Sequence, residues 1–343
     1  MNDMRPCLLA DIGGTNARFA LSHSPLAKES AKSNRLYAQR TISVKDFANF
    51  QDAIANYLEQ ALLEPDLPFA APPQSACFAV AGPVDQDDFS FTNSSWSFSQ
   101  EALKAAFSFE TLLVINDFAA QSWALSALEP QGLTCLKEGV SDAVAPRVVL
   151  GPGTGLGVGA LIKTKQGFMP ISGEGGHMGF KPQDALDLEI LRLYWQEQAR
   201  VSDERILAGF GLEALYRIMH RLHFDAQETS NPHPKLTAKQ IVFAALSDKQ
   251  PFALSVIDRH LLHLGALGGD LALLFMAKGG VYLNGGVAQA LASYMPDSPL
   301  VAGFMNKGRM QKVLTQIPLF LINDANAALL GTRHALKSHL VAA

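Results

Sequence analysis

Apolar residues in this chain occur in short runs that end in glycine-rich turns. Residues 7–11 (CLLAD) have the pattern of a buried strand, the turn IGGTN follows, and residues 17–22 (ARFALS) form a second, alternating strand. Residues 148–163 repeat this design with VVLG, PGTGLG and VGALIK. The pattern predicts two β-hairpins with glycine-rich tips, and their similarity indicates two related domains.

Helical and strand patterns alternate in the rest of the chain. Helices are predicted at residues 44–63, 100–107 and 118–128, and strands at residues 76–81 and 111–115. After residue 184 the pattern is largely helical, apart from strands at residues 281–284 and 319–322, and a helix over residues 325–340 closes the chain. Because strands that alternate with helices usually pair in parallel, the order predicts an α/β protein.

The composition fits a folded globular protein whose partner is a small molecule. Of 343 residues, 48% are hydrophobic and 17% are charged, which is too apolar for a disordered chain and leaves enough length for two domains. The formal net charge is −4, and no cluster of Lys or Arg is longer than a pair. This balance argues against nucleic acid and against an anionic membrane surface as partners.

The cysteines and the apolar segments bear on the compartment. Cys7, Cys77 and Cys135 lie far apart and form neither a CxxC zinc spacing nor a disulfide framework, so we expect small buried residues in a reducing compartment. Residues 1–10 lack the apolar region of a secretory signal, and charged and histidine residues interrupt residues 253–277. We expect a cytoplasmic protein without a membrane span, with 253–277 as a buried helix.

Three glycine-rich turns are candidates for binding phosphate, because backbone N–H groups without a neighbouring Cβ approach an anion closely. They are residues 11–16 (DIGGTN), 151–157 (GPGTGLG) and 284–286 (NGG). Each of them alone is more simply explained as an ordinary tight turn. Two hairpin tips that carry hydroxyl residues, Thr15 and Thr154, favour phosphate binding.

Two common nucleotide-binding motifs are excluded. No GK[ST] follows any of these glycines, so a Walker A loop is absent. Residues 155–160 match the GxGxxA pattern of a dinucleotide fold, but the residues after them alternate as a strand. The dinucleotide motif must open a helix, and we therefore reject it.

Two carboxylates follow buried strands, where open α/β sheets place their ligands. Asp11 comes directly before the first glycine pair, where it could meet Mg²⁺ through water or simply form the turn. Asp117, which follows Asn116, could accept the proton of an attacking sugar hydroxyl, or the pair could cap the next helix. The same Asn-Asp pair recurs at residues 323–324, so the residues alone leave both alternatives open.

A further cluster combines a carboxylate with an imidazole. Glu174 and His177 lie in the glycine-rich loop SGEGGH, and both can hydrogen-bond the vicinal hydroxyls of a sugar. One Glu and one His make a poor metal site without further ligands, so we expect no metal held by protein side chains. Glu204 begins a predicted helix, where a charge at the helix end is the simplest explanation.

Seven segments of the chain carry a resemblance to a known family. They are LLADIGGTNARFAL, AVAGPV, TNSSWSFS, VINDFAA, LGPGTGLGVG, ISGEGGHMGF and VSDERILAGFGL. Together they resemble the bacterial glucokinases of the hexokinase and actin-like ATPase superfamily, in the same order and over nearly the whole chain. The resemblance implies two actin-like ATPase (ribonuclease H-like) α/β domains with a cleft between them. We expect a small domain over residues 1–122, completed by the helix at 324–343, and a large domain over residues 123–323.

The resemblance also implies an activity and the residues that perform it. The activity is ATP-dependent phosphorylation of the glucose 6-hydroxyl to glucose 6-phosphate, with Asp117 as general base and Mg²⁺ held mainly by the nucleotide and water. The implied sugar-binding residues are Asn93, Asn116, Asp117, Glu174, His177 and Glu204. The implied nucleotide-binding residues are Ala10, Asp11, Ile12, Gly13, Gly14, Thr15, Gly153, Thr154, Gly155, Gly285 and Gly286. We also expect a homodimer.

The chain departs from the family pattern at Asn284 and Pro152, where small or apolar residues are usual. The cysteine-rich zinc loop of the related repressor and open-reading-frame kinases is missing, as is an N-terminal helix-turn-helix. These absences argue against an N-acetylhexosamine kinase or a sugar-responsive repressor of that group. The remaining alternatives are a kinase for another hexose or amino sugar, a non-catalytic sensor of sugar and ATP, and an actin-like filament protein. The loop with Glu174 and His177 disfavours the filament protein.

Overall fold

The computed structural model describes residues 5–26, 34–69, 71–82, 84, 87–91, 96–224 and 235–342. Its strands are β1 (Pro6–Ile12), β2 (Asn16–His23), β3 (Leu36–Ser43), β4 (Ser75–Val80), β5 (Asp88–Ser90), β6 (Ser97–Ser99), β7 (Thr111–Asn116), β8 (Leu133–Lys137), β9 (Arg147–Pro152), β10 (Leu156–Thr164), β11 (Gly167–Gly173), β12 (Val281–Leu283) and β13 (Leu319–Ile322). Its α-helices are α1 (Phe50–Ala61), α2 (Gln100–Phe107), α3 (Asp117–Ala124), α4 (Ala185–Glu197), α5 (Glu204–Leu207), α6 (Gly209–Phe224), α7 (Ala238–Leu246), α8 (Pro251–Leu274), α9 (Gly286–Ala290), α10 (Leu300–Met305), α11 (Gln311–Gln316) and α12 (Ala327–Ala342). Short 3₁₀ turns lie at Val44–Asp46, Pro130–Gly132, Gly175–His177, Met295–Asp297 and Gly308–Met310.

The chain divides into two compact units. Unit 1 comprises Met1–Glu129, Thr164–Ser172 and Asp324–Ala343. Unit 2 comprises Pro130–Lys163 and Gly173–Asn323. The domain limits expected from the sequence stay a prediction.

The main sheet of unit 1 has the strand order β3-β2-β1-β4-β7. β1 pairs antiparallel with β2 and parallel with β4, and β4 pairs parallel with β7. Ile12 lies opposite Val80, and Val80 lies opposite Asn116. The carboxyl ends of β1, β4 and β7 therefore meet at the same edge of the sheet.

Strand β1 is buried on both faces, which explains its almost continuous apolar sequence. Leu8, Ala10 and Ile12 pack into one core together with residues of α1. Cys7 and Leu9 point to the opposite face and pack into a second core with residues of α12. The side chains of a strand alternate between its faces, so one short segment contributes to both cores.

Helix α12 also packs closely on α3 within unit 1. A Cβ added to Gly331 would overlap the carbonyl oxygen of Ala120. A small residue at this position lets the two helix backbones approach, and the C-terminal helix thereby covers one face of the sheet of unit 1.

The strands of unit 2 repeat the arrangement of unit 1. β9 pairs antiparallel with β10 and parallel with β12, and β12 pairs parallel with β13. In unit 1, β1 likewise pairs antiparallel with β2 and parallel with β4, and β4 pairs parallel with β7. β8 pairs antiparallel with β13 at the far edge. The two predicted hairpins and the α/β class are confirmed.

Helix α8 lies at the centre of unit 2. Its side chains belong to the main core of this unit, including Leu261, Leu264 and Leu271. Gly265 of α8 faces the backbone of Leu300, and Gly303 of α10 faces the backbone of Leu262, so α8 and α10 cross closely. The predicted buried helix is confirmed, over Pro251–Leu274 instead of residues 253–277. Among the described residues, no helix has both the length and the apolar character of a membrane span.

Three details predicted from the sequence are wrong. The helix predicted at 44–63 is a 3₁₀ turn followed by α1, because the Asn49 side chain accepts from the Asp52 N–H at 2.8 Å and caps a helix that begins at Phe50. The helix predicted at 118–128 ends at Ala124 and continues only as turns. Cys135 is exposed because it lies on the edge strand β8, whereas Cys7 and Cys77 are buried as expected.

We expect the stability of the fold to fall at acidic pH through His260 of α8. Burial lowers the pKa of His260 from 6.5 to about 4, and the neighbouring His263 adds to this effect. Between these values the unfolded chain binds a proton that the folded chain does not, so the free energy of unfolding decreases as the pH falls from 6.5 to about 4. The loss from this residue is up to about 3 kcal/mol. Urea titrations across this pH range measure it.

The matched variants for this measurement are His260→Gln and His339→Gln, the latter at an exposed position of α12. We expect a shallower pH dependence of the unfolding free energy in His260→Gln and an unchanged one in His339→Gln. Equal slopes in both variants would contradict the assignment to His260.

Candidate active site

The first glycine turn closes the hairpin of β1 and β2. The Gly13 N–H donates to the carbonyl of Asn16 at 3.0 Å, and a Cβ on Gly13 would meet only this carbonyl, at an ordinary 3.6 Å. Gly14 is half-buried and Thr15 is exposed at the tip. The protein itself therefore does not require a glycine at position 13, which leaves the space above the turn open for another group.

Asp11 lies at the end of β1, directly before this turn. Its side chain is 23% exposed, and Arg18 Nη1 lies 3.9 Å from its Oδ2. Burial raises the pKa of Asp11, and the charge of Arg18 opposes this rise. Ala10 and Ile12, its neighbours in the predicted loop, are buried in the strand, so only their backbone is available to a ligand.

Asn116 and Asp117 mark the junction of β7 and α3. The Asn116 Oδ1 accepts from the N–H groups of Phe118 at 2.9 Å and Ala119 at 3.3 Å, so Asn116 is the N-cap of α3. Its amide nitrogen donates to the carbonyl of Gly82 at 3.3 Å. The sequence did not decide whether the Asn116-Asp117 pair caps the next helix, and the structure assigns this cap to Asn116. The contact of Asn116 with a sugar stays a prediction.

Asp117 is the first residue of α3 and is half-buried. Its Oδ1 accepts from the Phe118 N–H at 2.9 Å. A carboxylate at a helix N-terminus is favoured in its charged form by the helix dipole. The pairing of Ile12 with Val80 and of Val80 with Asn116 places Asp11 and Asp117 at the same edge of the unit 1 sheet.

The second Asn-Asp pair has a different local structure. The Asn323 side chain donates to Thr134 Oγ1 at 2.6 Å. The Asp324 Oδ1 accepts from the Asn326 N–H at 2.8 Å and forms a turn before α12 begins at Ala327. Only the first pair joins a strand directly to a helix, which is the geometry that presents a carboxylate at a sheet edge.

The second glycine turn closes the hairpin of β9 and β10 in unit 2. The Gly153 N–H donates to the carbonyl of Gly155 at 2.8 Å, and the Gly209 N–H donates to the carbonyl of Gly153 at 2.8 Å. A Cβ on Gly153 would meet nothing within 4 Å, and Thr154 beside it is exposed. This tip also has room for another group. Gly209, which the sequence analysis did not single out, supports it from the segment LAGFG.

The third glycine pair lies against the second turn. Gly285 has φ +96°, and a Cβ there would lie 2.5 Å from the carbonyl oxygen of Pro152. The Asn284 N–H donates to the carbonyl of Leu150 at 3.0 Å. Gly286 begins α9 and is exposed, and a Cβ on it would meet nothing within 4 Å. The two departures from the family pattern therefore contribute backbone contacts that hold Gly285–Gly286 beside the second glycine turn.

The loop with Glu174 and His177 is anchored through its backbone. Cβ atoms on Gly175 and Gly176 would collide with Val158 and with the carbonyl of Leu156, so the loop packs tightly on the start of β10. The side chains of Glu174 and His177 are 88% and 56% exposed, with 3.9 Å between Glu174 Oε2 and His177 Nε2. A rigid backbone thus presents two hydrogen-bonding side chains to solvent.

Glu204 does not lie free at a helix end. Its Oε2 accepts from the Leu156 N–H at 2.9 Å, directly after the second glycine turn. A Cβ on Gly155 would lie 2.7 Å from the same oxygen. The sequence contains no indication of this contact, because residues 156 and 204 are distant in the chain and meet only in the folded structure.

The predicted residues form one group in each unit. Unit 1 brings together the first glycine turn, Asp11, Asn116 and Asp117, and unit 2 brings together the second and third glycine turns, the 174–177 loop and Glu204. Asn93 lies outside the described residues.

The open glycine positions leave room for a nucleotide. Gly13, Gly153 and Gly286 all have space where a side chain would be. Within the part of the chain that the structure describes, no three His, Cys, Asp or Glu residues group into a metal site. A cation carried by the nucleotide and met by one carboxylate, such as Asp11, stays a prediction.

Two sheets that share the arrangement of a glycine-tipped hairpin followed by two parallel strands define an actin-like ATPase fold of the kind found in sugar kinases. The family model described as Glucokinase matches residues 8–339. This chain belongs to the glucokinase family.

Individual relatives agree with this assignment. A glucokinase of Saccharophagus degradans is 36% identical over 328 residues, which cover 96% of this chain and 97% of that protein. The crystal structure of a glucokinase from an Antarctic psychrotroph has a TM-score of 0.84 at 34% identity and covers 96% of this chain and 98% of that chain. A ROK family glucokinase from Streptomyces griseus, solved in complex with glucose and AMPPNP, shares the fold with a TM-score of 0.61 at 17% identity over 96% and 98% of the two chains.

We expect Gly153→Ala to weaken nucleotide binding at least about tenfold, because the new Cβ occupies the space expected for a phosphate. The free energy of unfolding should stay within about 1 kcal/mol of the wild type, since the Cβ meets nothing in the protein. Calorimetric titration with a non-hydrolysable ATP analogue, together with urea unfolding, measures both. Gly179→Ala, at a glycine that also has nothing within 4 Å, is the control and should leave nucleotide binding unchanged. Equal affinities of the two variants would rule out a phosphate at Gly153.

Proposed function

We propose that this chain is an ATP-dependent glucokinase that transfers the γ-phosphate of ATP to the 6-hydroxyl of glucose. Membership of the glucokinase family supports the proposal. One observation of the structure carries it: Asn116 takes the N-cap of α3, so that Asp117 at the carboxyl edge of the unit 1 sheet need not serve as the cap. A carboxylate so placed is suited to accept a proton from a substrate hydroxyl.

Asp117 acts in this proposal as the general base. Its carboxylate accepts the proton of the glucose 6-hydroxyl as the oxygen forms its bond to the γ-phosphorus, and the bond from that phosphorus to the β-phosphate oxygen breaks. ADP and glucose 6-phosphate result, and Asp117 then releases its proton to water. Phosphoryl transfer needs mainly positioning and charge neutralisation from the protein, so one base and well-placed donors suffice.

The glycine turns bind the nucleotide in this proposal. The backbone of residues 10–15 and of residues 153–155 faces phosphate groups, and Gly285 and Gly286 face the adenosine. Thr15 and Thr154 add hydroxyl donors at the exposed tips. Mg²⁺, carried by the nucleotide and water, neutralises phosphate charge when bound, and Asp11 is the carboxylate placed to meet it. A half-buried carboxylate before a loop of backbone N–H groups supports this role.

The remaining sugar hydroxyls are bound in this proposal by the side chains that the family resemblance implies. Glu174 and His177 offer an acceptor and a donor on a rigid backbone, and Glu204 adds a second carboxylate. Asn116 retains one amide hydrogen beyond its bond to Gly82, and Asn93 completes the set that the family resemblance implies. A pocket with several hydrogen-bonding groups discriminates between sugars because a missing hydroxyl leaves a buried partner unsatisfied.

A coupled assay of ADP release with a panel of sugars tests the substrate. We expect glucose to give the highest kcat/KM, above other hexoses and amino sugars. A protein that binds glucose and ATP but releases no ADP would be a sensor, and the proposal would fail. The expected cytoplasmic location and homodimer are further predictions, and sedimentation equilibrium measures the latter.

We expect Asp117→Asn to lower kcat for glucose at least about 10²-fold, the lower end for losing a general base, while glucose still binds. Asparagine keeps the acceptor for the Phe118 N–H, so the start of α3 stays intact. Asp324→Asn is the matched control, because Asp324 belongs to the second Asn-Asp pair and accepts only a turn hydrogen bond from Asn326 among the bonds described. Near-normal turnover of Asp117→Asn, or an equal loss in Asp324→Asn, would remove Asp117 from this role.

A further inference from the structure

Leu156 connects three parts of unit 2 that carry candidate site residues. Its N–H donates to Glu204 Oε2 at 2.9 Å, and its carbonyl oxygen occupies the space where a Cβ of Gly176 would be. It pairs with Pro152 across the second glycine turn. Leu156 is 5% exposed. Its backbone therefore connects Glu204, the 174–177 loop and the second glycine turn.

The Glu204 carboxylate reaches the second glycine turn itself. Oε2 lies 2.7 Å from the position of a Cβ on Gly155, so the carboxylate fits only because residue 155 has no side chain. The residue before Glu204 is bonded to the residue after the 174–177 loop: the Asp203 N–H donates to the carbonyl of Met178 at 2.8 Å. A negative charge is thereby held against a turn that is expected to bind phosphate.

We propose that Glu204 makes nucleotide binding depend on the sugar. Without sugar, its carboxylate repels a phosphate group in the second glycine turn, since like charges repel strongly at short range where water is partly excluded. Hydroxyl groups of a bound sugar donate to this carboxylate and disperse its charge, so that phosphate binds more tightly when sugar is present. The inference rests on the proposed function, because it takes sugar and nucleotide as the two ligands.

Two substitutions at Glu204 separate the effect of its charge from the effect of its hydrogen bond with the Leu156 N–H. Glu204→Gln keeps a carbonyl oxygen that accepts from Leu156 but removes the charge. Glu204→Asp keeps the charge but is one methylene shorter and loses its reach to Leu156. If Glu204 has only a structural role, Glu204→Asp should disturb the protein more than Glu204→Gln does. The repulsion of a phosphate group, in contrast, is removed only in Glu204→Gln.

Calorimetric titration of each variant with a Mg²⁺ complex of AMPPNP, with and without saturating glucose, measures the dependence. We expect glucose to tighten AMPPNP binding to the wild type. Without glucose, Glu204→Gln should bind AMPPNP at least about tenfold more tightly than the wild type, and the difference should shrink at high salt. Glucose should then add little in this variant, and Glu204→Asp should bind as weakly as the wild type without glucose.

The control is Glu213→Gln. The Glu213 Oε1 also accepts a backbone N–H, from Ala238 at 3.0 Å at the start of α7, and Glu213 is not among the candidate site residues. We expect this variant to bind AMPPNP as the wild type does. An AMPPNP affinity of Glu204→Gln equal to that of the wild type without glucose would overturn the inference, and so would tighter binding by Glu204→Asp.

Failure of the inference and failure of the proposed function give different results. A wild type that forms no ADP with glucose contradicts the proposed function, whatever the variants do. The titration without sugar still measures whether the Glu204 charge opposes phosphate. A wild type that phosphorylates glucose, with no change of AMPPNP affinity in Glu204→Gln, contradicts only the role of Glu204.

Discussion

The parallel pairing of β1 with β4 and of β4 with β7 is the constraint on which the candidate site of unit 1 depends. Parallel strands end at the same edge, so the residues after β1 and β7 come together although about a hundred positions separate them in the chain. This register places the first glycine turn, Asp11 and Asp117 at one edge of the sheet, with the end of β4 between them. The pairing is possible because β1 is apolar on both faces and is covered by α1 on one side and α12 on the other. The same strand pairing therefore stabilises unit 1 and positions its candidate site residues.

Glycines serve two different purposes in this protein. Gly331, Gly265 and Gly303 are required by the packing of the fold, because a Cβ would collide with a neighbouring helix backbone. Gly13 and Gly153 have no such neighbour, and neither has the positive φ that only glycine adopts easily. A glycine that the protein does not need for its own packing leaves space for a ligand, and the proposed phosphate turns at Gly13 and Gly153 have such space.

The elements that sequence patterns predicted best carry an apolar run or a clear helix cap. β1, β4, β7 and α2 lie within a residue or two of their predicted limits, because the three strands are apolar runs and Ser99 caps α2. The edge strands β3 and β8 were not predicted, since their mixed exposure gives neither alternation nor an apolar run. Helix α1 was predicted too long at its start, where Asn49 and Asp52 already carried the capping signal.

The sequence by itself determined the α/β class, the two glycine-tipped hairpins and, through its motifs, the family and the candidate residues. It could not decide between the cap and the base at Asn116-Asp117, because both roles use the same residue types at the same place. The structure gives the cap to Asn116, and the role of Asp117 as base stays a prediction. The contact between Glu204 and Leu156 is decided only by the tertiary structure. This hydrogen bond joins residues 48 positions apart and depends on how β10 and α5 pack, so it leaves no local pattern in the chain.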